Sequence, residues 1–254
     1  DIATAKITAS PAVGNARRLV LAPDNSKVLA FTPSRAGFVL LKTADNSVQT
    51  VPGFTSAIYG VFSSDSSKAY ILSCSAECGA STPATVTLVD LSGATPVVGA
   101  SVTVPAATVG VLDSTGNLYV AGSPTVGPAG GALTVINAAA MTISKTVPIG
   151  DGNHTLMVLA PNGKLYIGAQ TCTDQVGSST PTGCFTIYDV SAGTATIDIA
   201  RGDVAAIQPV TAKNRNVVYT SIGGQFIIFD GGTDMPQATQ IPLTGQITDV
   251  KSAQ

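Results

Sequence analysis

The chain contains one histidine, His154, and four cysteines, Cys74, Cys78, Cys172 and Cys184. These are the side chains best suited to metal binding, proton transfer or thiol chemistry. His154 follows Asp151, Gly152 and Asn153, a short polar segment that could bind a ligand or move a proton. A single histidine cannot build a histidine-rich metal centre, and no Ser-His-Asp arrangement is marked by a motif. Asn153-His154-Thr155 also spells a glycosylation sequon, meaningful only in a glycosylating host. No Walker loop, dinucleotide fingerprint, His-Glu-x-x-His or Gly-x-Ser-x-Gly motif occurs, and no cofactor or metal is implied.

The cysteine spacings, three residues between Cys74 and Cys78 and eleven between Cys172 and Cys184, do not match zinc ribbons. Local pairing, Cys74 with Cys78 and Cys172 with Cys184, is expected, because the two pairs belong to separate structural units and disulfide Cα atoms must approach within about 7 Å. An even cysteine count in a chain with only 11% charged residues fits an oxidising compartment: secreted, periplasmic or cell surface. Typical domains carry roughly 25% charged residues. No signal peptide is visible, and Asp1 is compatible with a mature N-terminus.

The units themselves come from a repeat. Gly14–Pro23 aligns without gaps to Gly152–Pro161, 138 residues on, with six of ten positions identical. Three units of 46 residues fill that interval. A period of about 40–50 residues is that of a propeller blade. Each unit reads as an apolar run, a polar turn, a second run, a longer loop, a third run, a turn and a fourth run. The first turns, such as Pro23–Ser26, Ser64–Ser67 and Pro161–Gly163, carry Asp, Asn and Gly, which tolerate positive φ. Second strands are expected at Lys27–Phe31, Lys68–Leu72, Asn117–Ala121, Lys164–Gly168 and Asn216–Ser221. Third strands end on Asp90, Asn137, Asp189 and Asp230, residues that start Asx turns. Recurrence once per unit makes those acids structural.

The stretches Leu118–Ala121, Leu133–Asn137, Thr146–Gly150 and Leu159–Ile167 resemble the YVTN-type β-propeller repeat family. Ala121, Asn137 and Asn162 depart from its consensus letters. The resemblance implies an all-β propeller of four-stranded antiparallel blades and, for function, surface-layer, binding or scaffold roles without a shared active site. Fold alone does not fix function.

The reading gives one propeller domain with blades at about 16–54, 55–106, 107–152, 153–203 and 204–246. Ile2–Ala9 and Ile247–Ser252 are left over as two strands of a partial sixth blade. An incomplete larger ring is preferred to a five-bladed ring with dangling ends, because an open edge leaves unpaired backbone groups and invites self-association.

The long loops 73–83, 122–131 and 170–183 lie on one face of three consecutive blades. That face is the expected recognition surface, with Glu77, Asp174, Gln175, Asp151, Asn153 and His154 as its polar candidates. The expected function is a binding or scaffold module for a protein, glycan or small molecule. The alternative is a metal-assisted hydrolase or lyase at the central channel. A net charge of −2, 5% aromatics and the lack of a basic stripe argue against nucleic acid. Apolar runs are strand-length, far short of the roughly 20 residues of a membrane helix.

Overall fold

The computed structural model describes residues 6–7, 9–124, 130–172, 185–198, 203–212, 215–237, 241–242 and 250. They form five four-stranded antiparallel sheets, each a sequential meander. The first blade holds β1 to β4 (Arg18–Leu21, Lys27–Phe31, Gly37–Lys42, Val48–Pro52) and the second β5 to β8 (Ala57–Phe62, Lys68–Ser73, Ala84–Asp90, Val97–Val104). The third holds β9 to β12 (Val109–Leu112, Asn117–Gly122, Gly131–Asn137, Thr142–Ile149). The fourth holds β13 to β16 (Asn153–Leu159, Lys164–Gln170, Phe185–Asp189, Thr194–Asp198), and the fifth β17 to β20 (Val204–Ala212, Arg215–Ile222, Gln225–Asp230, Ile241–Pro242). The leftover segments at either end fall mostly outside the described residues.

Burial explains the apolar runs. A sheet covered on both faces needs hydrophobic residues at successive positions, not at alternate ones. Every residue of Lys164–Ala169 in β14 is buried, whereas Thr142–Thr146 on the outer strand β12 is exposed. Four apolar cores lie between consecutive blades. Leu29, Phe31 and Phe38 meet Ala57, Phe62 and Ile71 between the first two. Tyr166, Phe185, Val218 and Phe229 are shared by the last two.

The turns behave as their side chains dictate. The Asp24, Asp65 and Asp113 carboxylates accept the N–H two residues on, at 3.0, 3.1 and 2.8 Å. Asn162 does the same for Lys164 at 3.1 Å. Asp90, Asn137, Asp189 and Asp230 likewise cap the N–H groups of Ser92, Ala139, Ser191 and Gly232 at 2.8–3.1 Å. Hydrogen bonds that favour the charged form hold these carboxyls below their ordinary range. The Ser26 backbone and hydroxyl lower Asp24 to about 2, and the Ser63 and Ser67 hydroxyls lower Asp65 to about 2.

Polar pins also join blades. Lys27 Nζ donates to the Ser66 carbonyl at 3.1 Å, and Lys164 Nζ to Asp234 Oδ1 at 2.6 Å. Inner strands pack in succession, β1 on β5, β5 on β9, β9 on β13 and β13 on β17. Among the described residues no comparable packing joins β17 to β1, and Leu19 and Leu21 stay 62% and 55% exposed.

Candidate functional site

The loop after β6 supplies the site's central side chain. Cys74 N–H donates to the Ser56 carbonyl at 2.9 Å, anchoring the loop to the link from the first blade. A 3-10 turn, Ala76–Cys78, follows and closes on Gly79. The expected disulfide joins Cys74 to Cys78, with Cα atoms 5.9 Å apart. Arg35 Nη1 of the first blade donates to the Cys78 carbonyl at 2.7 Å. Cross-linked and braced, the five-residue loop turns Glu77 inward, where its side chain is 4% exposed.

Glu77 then bridges three blades. Oε2 accepts the Ser123 N–H of the third at 2.6 Å, and Oε1 accepts the His154 N–H of the fourth. His154 sits inside β13 and not in the loop before it; its side chain is 1% exposed. Its Nδ1 lies 3.4 Å from Glu77 Oε2, out of line for a hydrogen bond. Its Nε2 is 3.1 Å from the Gly150 carbonyl. A carbonyl only accepts, so Nε2 carries hydrogen. Ser123 Oγ donates to the Gly152 carbonyl at 2.8 Å.

Two glycines make room for this arrangement. A Cβ on Gly122 would stand 2.8 Å from Thr108 Oγ1 and 3.0 Å from Glu77 Oε2. Gly152 has φ +101°, and a Cβ there would fall 2.4 Å from the Gln170 carbonyl. Both positions exclude larger residues on steric grounds.

Chemically, this is a buried carboxylate satisfied by two backbone N–H groups, with an imidazole packed beside it. It fixes the spacing of three blades, and the Ser123 hydroxyl is spent on the Gly152 carbonyl. The structure thus brings Glu77 and His154 together and seals both from solvent. Asp151 is buried in the adjoining turn, at 1% exposure, and Asn153 is exposed. Asp174, Gln175 and Cys184 lie outside the described residues. Cys172 is buried and disulfide-bonded. No group of three or more His, Cys, Asp or Glu suited to a metal occurs among the described residues. Asp203 works as a smaller brace, its Oδ1 accepting the Thr171 N–H at 2.9 Å.

Sequence reasoning missed Ser123, whose contribution is a backbone N–H and carries no side-chain signal. It also missed a groove of about 420 Å³ between the first two blades, beside the cross-linked loop. Thr55, Ser73, Thr85, Ser101 and Thr103 line it, and no charged side chain among the described residues does. Thr82 Oγ1, also on its wall, is buried without a hydrogen-bond partner among the described residues. Alternation along β7 and β8 puts Thr85, Thr87, Ser101 and Thr103 on one face, the signal that could have found it.

The five radially packed meanders define a β-propeller. No family model matches the chain, and no curated protein does. Solved structures supply the likeness. Hydrazine synthase of Kuenenia stuttgartiensis is 16% identical with a TM-score of 0.59, covering 88% of this chain and 58% of that one. U3-55K is 11% identical with a TM-score of 0.61, covering 88% and 67%. The Pan2 WD40 domain of Neurospora crassa is 9% identical with a TM-score of 0.59, covering 85% and 61%. The chain therefore spans about three fifths of the length of these structures. At such identities the likeness shows the fold alone.

Proposed function

We propose that the chain is a binding module working in an oxidising compartment, and that the hydroxyl-lined groove between its first two blades is the recognition surface. The observation that carries this reading is the groove itself: about 420 Å³, uncharged, with a buried unpartnered hydroxyl at Thr82. Such a lining suits a neutral ligand rich in hydroxyl or amide groups, because each buried donor or acceptor needs a counterpart. The rigid loop beside it, closed by the Cys74–Cys78 disulfide, holds one wall in place. The disulfide supports a secreted, periplasmic or cell-surface location. Membership of the YVTN-type repeat family belongs to the same proposal and rests on the motifs at 118–121, 133–137, 146–150 and 159–167. Among the described residues no helix is long and apolar enough to cross a membrane.

The test is a screen of neutral oligosaccharides and uncharged peptides against the oxidised protein and against Thr85→Lys and Ser101→Lys. The reading expects ligands of the wild type to lose at least about tenfold in affinity in both variants, since a buried unpaired ammonium is costly. Ligands that bind all three proteins equally would place recognition elsewhere.

A further inference from the structure

A second cavity, of about 220 Å³, opens among the inner strands β1, β5 and β9, at the centre of the fan. Apart from Tyr59 the side chains on its walls are apolar, among them Val20 and Leu21, Val61, and Val111 and Leu112, with backbone exposed at Gly60 and Gly110. Tyr59 also lines it, and the Arg18 guanidinium stacks over the Tyr59 ring, 4.8 Å from its centroid.

Arg18 is chemically out of place there. The register sets it opposite Phe31, the position Tyr59 holds opposite Leu72 in the second blade and Leu156 opposite Gly168 in the fourth. The repeat therefore does not call for a cation at this point. Among the described residues Arg18 makes no ion pair. Its one hydrogen bond among the described residues runs from Nη2 to the Thr155 carbonyl of β13, a long 3.4 Å. A guanidinium has five N–H donors in a planar fork, so most of this one is unspent. Tyr59 hydroxyl makes no hydrogen bond among the described residues, and burial raises its pKa despite Arg18, so it remains a protonated donor at neutral pH.

A phenol on the cavity wall thus carries, stacked on its ring, a half-buried cation that has no counter-charge among the described residues. We propose that Arg18 and Tyr59 bind the carboxylate of a small monocarboxylate, whose apolar tail lies against Val20, Val61, Val111 and Leu112. The carboxylate supplies the bidentate acceptor that a guanidinium fork matches. The tail replaces water on the apolar walls. The volume suits a short tail and is too small for a folded partner. This site is separate from the groove between the first two blades, and either can fail without the other.

The test is calorimetric titration of the full oxidised chain at neutral pH with octanoate and with octan-1-ol. Octanoate should bind at a single site and at least about tenfold more tightly than the alcohol, about 1.4 kcal/mol. Arg18→Gln should erase that preference while leaving alcohol binding unchanged, and Arg18→Lys should retain part of it. Octanoate should also shift the Arg18 side-chain Nε–H resonance, a readout independent of any variant's folding. Leu21→Glu, at an exposed position, should abolish octanoate binding by placing a competing carboxylate beside the cavity. Equal binding of acid and alcohol, an unaffected Arg18→Gln variant, or no octanoate binding at 10 mM would each overturn the assignment.

Discussion

Replacing Glu77 by glutamine changes one atom of the three-blade brace. The carboxylate now accepts two backbone N–H groups, from Ser123 and His154, one on each oxygen. Glutamine offers one acceptor oxygen and one NH2 group, so one buried N–H must face another donor. An unsatisfied buried donor costs about 1–3 kcal/mol. Glu77→Gln should therefore destabilise by about 2 kcal/mol, and Glu77→Ala, which orphans both N–H groups, by about 4 kcal/mol. Urea unfolding measures this as a lower midpoint at constant slope. Hydrogen exchange at the Ser123 and His154 amides should accelerate in Glu77→Gln beyond the loss of global stability. A double-mutant cycle with His154→Phe isolates the imidazole contact, because the His154 backbone N–H survives the change. A loss under about 0.5 kcal/mol in Glu77→Gln would refute the brace as a source of stability.

Two further outcomes follow from the same chemistry. Reducing the Cys74–Cys78 disulfide, sequence separation 4, should cost about 2 kcal/mol in the chain-entropy model and loosen the loop that orients Glu77; denaturation with and without reductant checks it in a Cys172→Ser/Cys184→Ser background. The turn carboxyls Asp24 and Asp65 have folded values depressed from 3.8 to about 2, so their contribution is complete above the unfolded value and lost as pH falls through the folded one. The melting temperature should decline between about pH 4 and pH 2. Asp24→Asn should keep its turn, as Asn162 does, and flatten that decline.

The fold was legible because it is periodic and local. Four of the five second strands begin on the residue that the turn chemistry marks: Lys27, Lys68, Asn117 and Lys164. Asx caps could be read from single residues such as Asp90 and Asp230, since their partners lie two positions away. The Cys74–Cys78 pairing is equally local. Glu77 and His154 stood out by residue type and were expected on an exposed recognition face. Their 77-residue separation hid the fact that one grips the other.

Sequence alone determined the blade, because a hairpin's strands, turns and caps are set by neighbours along the chain. The tertiary structure decided what the blades do to one another. It buried the one histidine beneath a carboxylate from another blade, stacked the Arg18 guanidinium on Tyr59 without a counter-charge among the described residues, and aligned hydroxyls from separate strands along one groove. Those outcomes depend on distances between residues tens of positions apart. Radial packing fixes such distances, and no local pattern encodes them.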